Sequence, residues 1–251
     1  MEKCTILEME AITKSYGGVE VLHGVNFDLK SGEVHVLIGE NGAGKSTLMK
    51  ILAGAVPLDS GIIRVADETG ELKRVNIKDP VTAQRLGVCM VYQESNLIDN
   101  ISIAENLYLG NEPLRMGMVD WPTLYQGAVK QLEKVQCHAD PKRLVETLSV
   151  AEKQTVEIAK AISSNARILV LDEPTSSLSD REVGILFGLI QQAKQQGIGI
   201  VYISHRMDEI FAIGDRITVF RDGSLINTVD VAQTTQSDLI KMMIGRELER
   251  D

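Results

Sequence analysis

Apolar and polar positions along the chain follow two rhythms, and the change between them marks out the architecture. Residues 5–12 (TILEMEAI) and 19–29 (VEVLHGVNFDL) are rich in β-branched and apolar side chains and flank the turn-like YGG at 16–18, which predicts a pair of antiparallel strands. The apolar run VHVLI (34–38) reads as a buried strand, and TLMKILAG (47–54) as a helix. After the DSG punctuation at 59–61, GIIRV and ELKRV with DETG between them predict a hairpin. Asp79-Pro80 supplies an N-cap and a first helical residue for PVTAQRLG, and VCMVYQ is a short buried-type strand ending at Gln93.

Across residues 94–164 the strand pattern vanishes, and helical patterns separated by Pro113, Pro122 and Pro141 take over. The rhythm of an α/β chain returns at Ala166. RILVLDEP is an apolar strand, and SDREVGILFGLIQQAKQQG a helix with Ser179 and Glu182 spaced as a capping box, Gly197 as its stop, and Val183, Leu186, Phe187 and Ile190 as its apolar face. IGIVYIS is another buried strand, RITVFRDGSLINTV a hairpin about Asp222-Gly223, and TTQSDLIKMMIGRELERD a helix with a charged end. The chain thus reads as one domain over 1–251: an α/β core from 1–94 and 165–251 with an antiparallel β portion, and an α-helical lobe, 95–164, inserted between its halves. Trp121, the one tryptophan, falls in this lobe, where packing in a buried position is its expected job.

The stretch between the 34–38 strand and its helix carries the chemistry. Gly39, Glu40, Asn41, Gly42, Ala43, Gly44, Lys45, Ser46 and Thr47 spell G-x-x-x-x-G-K-[ST] in the strand-then-helix setting that a phosphate loop requires. Glycines at 39, 42 and 44 let the backbone curl round a polyphosphate with its N–H groups inward. Lys45 adds a full charge toward the β- and γ-phosphates, and the Ser46 hydroxyl is placed to ligand Mg2+. A glycine-rich turn that happens to hold a lysine is the plainer alternative, and the completeness of the motif weighs against it.

Asp172 ends an apolar strand, where a phosphate-loop enzyme needs a carboxylate to help hold magnesium; Glu173 beside it is positioned to orient or deprotonate a water attacking the γ-phosphate. His205, after the strand IVYIS, stands where a γ-phosphate contact belongs. Gln93 ends another strand and is a candidate contact for magnesium or the attacking water. Tyr16 either stacks on adenine or covers a strand edge. LSVAEKQ (148–154) opens a helix with Ser149 and Glu152 as a capping box, and such a helix start is also an anion site.

Composition narrows the setting. At 251 residues with 26 Lys+Arg against 35 Asp+Glu, the formal charge of −9 argues against a large nucleic-acid footprint. Cys4, Cys89 and Cys137 are odd in number and widely spaced, giving neither a disulfide framework nor a zinc pattern, so a reducing, cytosolic setting is expected. No run of about 18 apolar residues occurs, so any membrane role is expected to come through a partner.

With GENGAGKST, Gln93, LSVAEKQ, LVLDEP, SSLSD and His205 in this order, the chain resembles the ATP-binding-cassette ATPases over nearly its whole length. The resemblance implies a phosphate-loop NTPase with a RecA-like core, and two such domains paired head to tail. Ser149 and the backbone at Ala151 would then hold the γ-phosphate of ATP on the partner domain, SSLSD (176–180) would line the seam, and Tyr16 becomes an adenine platform. The family's commonest signature, Leu-Ser-Gly-Gly-Gln, is altered here: Val150 and Ala151 replace the glycines, and Glu152 and Lys153 precede Gln154. That variant, with VEIAKAIS, YISHRMDEI and MIGRELERD, is similar to the simple-sugar importers of the ribose, galactose, xylose and arabinose type.

Members of that subgroup carry two ATPase domains in one polypeptide, and this ending resembles the close of the first. The implied function is hydrolysis of ATP with Mg2+ to power sugar import through a membrane permease contacted by residues 93–110, with a sugar-binding protein engaged indirectly and no nucleic-acid partner. The implied location is the cytoplasmic face of the membrane, with the isolated domain soluble. A soluble ABC-type ATPase of DNA repair or translation, and a non-hydrolysing ATP-binding regulatory module, are the alternatives; the acidic charge opposes the first, and the presence of Lys45, Asp172, Glu173 and His205 the second.

Overall fold

The computed structural model describes residues 4–92, 95–135, 137 and 139–244, so Gln93 and the charged end past Ile244 lie outside the described residues. The chain divides into two compact units, one of residues 1–90, 166–173 and 193–251, the other of residues 91–165 and 174–192.

In the first unit, β1 (Thr5–Tyr16) and β2 (Val19–Lys30) form the antiparallel pair that the sequence predicts, closed by a two-residue turn in which Gly17 and Gly18 have φ of 57° and 84°. Both central residues of such a hairpin turn need positive φ, which glycine adopts without steric cost. Tyr16 pairs with Val19, so it closes the strand rather than standing in the turn. β4 (Ser60–Ala66) and β5 (Leu72–Val75) complete a four-stranded sheet in the order β2-β1-β4-β5.

The second sheet of this unit has the order β12-β11-β3-β10-β9-β6, built from β3 (Val34–Gly39), β6 (Val88–Val91), β9 (Ile168–Asp172), β10 (Gly199–Ile203), β11 (Arg216–Arg221) and β12 (Ser224–Asp230). β9, β10, β3 and β11 run parallel and are buried almost continuously, as strands covered on both faces must be, while β12 turns back antiparallel through Asp222 and Gly223 at φ 48° and 74°. One apolar core joins both sheets to α1 (Lys45–Leu52): Leu7, Met9, Leu22 and Phe27 meet Leu48, Met49, Leu52, Val170 and Val201. Asp79 caps α2 (Pro80–Arg85) by accepting from the Thr82 N–H at 2.7 Å. α7 (Met207–Ile213) and α8 (Gln236–Ile244) complete the unit's helices among the described residues.

The second unit holds α3 (Ile103–Tyr108), α4 (Trp121–Lys134), α5 (Val150–Ser163) and most of α6 (Asp180–Gln195). Strands do not vanish here: β7 (Leu114–Arg115) and β8 (Met118–Val119) form a small hairpin. Met116 and Gly117 at its tip have φ of 54° and 82°, and a methionine at positive φ gives no turn signal in sequence. Pro122 lies in the first turn of α4 rather than separating helices, where its missing N–H costs nothing. Trp121 is 46% exposed, contrary to the expected packing role; its ring centroid lies 6.1 Å from that of Tyr125. On α6, Val183, Leu186 and Ile190 are buried as predicted, but Leu189 rather than Phe187 joins them. No helix among the described residues is long and apolar enough to cross a membrane.

Candidate active site

The phosphate loop follows from where glycine is needed. Gly39 ends β3 at φ 153° with no room for a Cβ, which would stand 2.3 Å from the Phe220 carbonyl oxygen on β11. Gly44 caps α1 at φ 102°, where a Cβ would meet a Leu22 methyl at 2.7 Å. No side chain caps this helix start and no acid stands in its first turn, so its N–H groups and the positive end of its dipole remain available to an anion. Lys45 is buried, and its ammonium donates to the carbonyls of Gly39 at 2.8 Å and Glu40 at 3.0 Å. Burial pushes the Lys45 pKa down, and the neighbouring charges of Glu173 and Asp172 push it up.

Three parallel strand ends bring the remaining groups of the first unit to this loop. The Ser46 hydroxyl donates to Asp172 Oδ1 at 3.4 Å at the end of β9. Burial raises the Asp172 pKa, opposed by the Ser46 hydrogen bond. Glu173 takes φ 47°, a left-handed conformation uncommon for a side-chain-bearing residue, and its N–H donates to Ile203 O at 3.0 Å on β10. Glu173 Oε1 stands 3.4 Å from His205 Nδ1, within reach of an Nδ1–H tautomer of the imidazole. Strain of about 1–3 kcal/mol at such a backbone persists where surrounding structure over-determines it, and here it aims a carboxylate at the loop end of β9 and β10. Ser46 and Asp172 offer two hard oxygen donors, the ligand chemistry that suits Mg2+.

Tyr16 is 46% exposed, and Lys14 Nζ lies 5.5 Å from its ring centroid. Lys14 is held in turn by Asp59, whose Oδ1 accepts from Nζ at 2.7 Å and whose Oδ2 accepts from the Ser15 N–H at 2.6 Å. Little in the sequence marks this clamp, because Lys14 falls past the predicted strand 5–12 and Asp59 is turn punctuation; β1 runs on to Tyr16, and its alternation buries Lys14 on the same face as Ile12.

In the second unit, Ser149 caps α5, accepting from the Glu152 N–H at 3.3 Å while Glu152 accepts from the Ser149 N–H at 2.8 Å. Arg143 donates to the other Glu152 oxygen at 2.8 Å. Ala151 follows in the first turn. Replacing Ser149 by Ala is expected to cost about 1 kcal/mol of stability, read as a lowered denaturation midpoint; an unchanged midpoint would mean that the box does not form in solution. Further along α5, Glu157 accepts from the Asn96 N–H at 2.7 Å and the Ser95 hydroxyl at 3.2 Å, and Lys153 donates to Asp99 at 2.6 Å. These ties hold the segment that follows Gln93, and sequence gave no warning of them because an acid and a base on a helix look like solvated positions.

A glycine-rich loop between a parallel strand and a helix, with two acids and a histidine at the neighbouring strand ends, is the arrangement of a phosphate-loop protein. Residues 22–176 match the family described as ABC transporter, and the chain belongs to that family. It is 46% identical over 244 residues to a ribose import ATP-binding protein of Rubrobacter xylanophilus, covering 97% of this chain and 48% of that protein. It is also 46% identical over 245 residues to a xylose import ATP-binding protein of Moorella thermoacetica, covering 98% of this chain and 48% of the relative. The chain therefore spans about half the length of these curated relatives. Among solved structures, an ATP-binding cassette of an ABC transporter in its ADP conformation superposes with a TM-score of 0.80 at 24% identity, over 96% of this chain and 99% of that one, which establishes the fold.

Proposed function

We propose that this chain binds and hydrolyses ATP with Mg2+ and that the cycle drives import of a simple sugar through a membrane permease. The observation that carries this reading is the convergence of Lys45, the Ser46–Asp172 contact at 3.4 Å and the Glu173–His205 contact at 3.4 Å at the carboxyl ends of β3, β9 and β10. Ligands of open α/β sheets bind at that end of the strands. Residues Gly39 to Thr47 cradle the phosphates, Lys45 supplies positive charge, and Tyr16 offers its ring to adenine. Ser46, Asp172 and Gln93 hold the magnesium ion, which neutralises charge on the phosphate oxygens. Glu173 takes the proton of the attacking water, and His205 and Gln93 orient the γ-phosphate and that water.

Ser149 and the backbone at Ala151 face the nucleotide of a second ATPase domain, whether in tandem or in a second copy. Residues 95–164 act as the helical lobe, a reading supported by α3, α4 and α5 falling in one compact unit. The exposed positions among residues 93–110 meet the permease at the cytoplasmic face of the membrane, with a sugar-binding protein engaged from the other side. The sugar class rests on the relatives, whose names specify ribose and xylose import.

Composite sites make a sharp test. The specific ATPase activity of the chain, measured with Mg2+ across a hundredfold range of protein concentration, is expected to rise with concentration as domains pair. Hydrolysis by a persistent monomer at a constant specific rate would overturn the paired-site reading.

A further inference from the structure

Outside the groups that face the nucleotide, the first unit buries two further carboxylates, Glu33 and Glu209, that the proposed chemistry does not use, and the second of them lies next to the histidine loop. Glu209, in the first turn of α7, is 1% exposed. Its Oε2 accepts from the Tyr202 hydroxyl and from the Ser204 hydroxyl, both at 2.9 Å. Tyr202 is itself fully buried on β10, so this oxygen is fixed to the sheet. Its Oε1 lies 3.1 Å from Arg206 Nη1, an ion-pair distance, yet makes no hydrogen bond. Arg206 also reaches Asp208 at 3.3 Å. A buried acid kept with an unsatisfied oxygen needs a reason, because replacement by an apolar side chain would remove the desolvation cost.

That reason lies in what these bonds enclose. The Ser204 hydroxyl donates to Glu209 and at the same time accepts from the Arg206 N–H at 3.0 Å. Residues 204 and 206 flank His205, so one carboxylate grips the loop on both sides of the histidine, through Ser204 and through Arg206. The His205 side chain is itself 65% exposed, and among the described residues it meets Glu173 at 3.4 Å. Among the described residues no buried group holds the imidazole directly; its place is set by the backbone that carries it.

We infer that Glu209 is a positioning residue for His205: it fixes the 204–206 loop so that the imidazole meets Glu173 and the γ-phosphate. This rests on the ATPase reading above for its kinetic consequence, but not for its structural one. A misplacement of about 1 Å can cost on the order of 10²-fold in rate. Glu209→Gln keeps the shape and presents an amide to Arg206 where an anion stood.

The test uses the chain as it stands, comparing wild type, Glu209→Gln, Ser204→Ala, His205→Ala and the Glu209→Gln/His205→Ala double variant. Steady-state ATPase gives kcat and KM, and carbon-edited NMR of the four histidines reports position, with His205→Ala assigning its signal. Glu209→Gln and Ser204→Ala are expected to lower kcat about 10- to 100-fold with KM within about twofold, and Glu209→Gln is expected to have no further effect once His205 is absent. The His205 resonance is expected to move in both variants, with those of His23 and His35 in place. Equal losses with and without His205, or an unmoved His205 resonance, would overturn the proposal. Should Glu209→Gln not fold, Ser204→Ala cuts the same link and decides the matter. If His205→Ala leaves turnover unchanged, it is the catalytic reading of His205 that fails, and the resonance shift still decides whether Glu209 positions it.

Discussion

Glu173→Gln is expected to lower ATP turnover by about 10²–10⁴-fold, the contribution of a positioned general base, while leaving nucleotide binding intact. Gln keeps the size of the side chain and its reach to His205, so the φ of 47° and the bond from the Glu173 N–H to Ile203 O have no reason to change. What disappears is the basicity that the proposed role in taking a proton from water requires. The phosphate loop, with Lys45 held on the Gly39 and Glu40 carbonyls, is untouched. A domain that binds ATP without consuming it should accumulate in the paired state, so the variant should elute as a dimer when ATP and Mg2+ are present and as a monomer when they are absent. A fall in turnover of less than about tenfold would mean that another group takes the proton.

The second large effect is on stability. Arg216 begins β11 and donates through Nε to Glu33 Oε1 at 2.9 Å and through Nη2 to Asp28 Oδ2 at 2.6 Å. Asp28 belongs to β2 and Glu33 directly precedes β3, so one guanidinium joins the antiparallel sheet to the parallel one. Glu33 is almost fully buried, and His35, beside it, is completely so, with its ring nitrogens on Asp28 O at 2.9 Å and Thr218 Oγ1 at 2.7 Å. Arg216→Met fills similar space but takes the guanidinium from the buried Glu33, whose Oε1 keeps His35 Nδ1 at 3.2 Å beside it, and breaking a buried pair in this way costs about 3–5 kcal/mol. For a chain of this size that corresponds to a fall in melting temperature on the order of 10 °C. Arg216→Lys is expected to recover only part of the loss, since a single ammonium cannot reproduce the fork. A loss below about 1 kcal/mol in the Met variant would show that Glu33 finds another partner or water.

Much of this was legible in the residues themselves. Gly17-Gly18 and Asp222-Gly223 announced hairpins because few other residues take two successive positive φ angles. Asp79-Pro80 and the Ser149/Glu152 pair announced helix starts because caps are local chemistry. The phosphate loop was complete in nine consecutive positions. What escaped was whatever depends on distant partners or on a conformation that composition does not favour. The order of the parallel sheet, with β3 between β11 and β10, leaves no trace in periodicity. His35 looked like a strand histidine until Thr218, 183 positions away, came to its side. The size of Trp121 suggests burial, whereas at the first position of α4, beside Asp120, it is 46% exposed. Lys14, Asp59 and Glu209 went unnoticed for the same reason as Arg216: each is an ordinary polar residue until its partner is known.

The two ties along α5 have a mechanical consequence. Glu157 grips Ser95 and Asn96, and Lys153 grips Asp99, one helical turn nearer the Ser149 end. Two attachments a turn apart resist both sliding and twisting, where one would act as a pivot. The strip of chain 95–99 and the helix therefore behave as a single stiff lever, and a load placed on the strip arrives at the Ser149 tip with little slack.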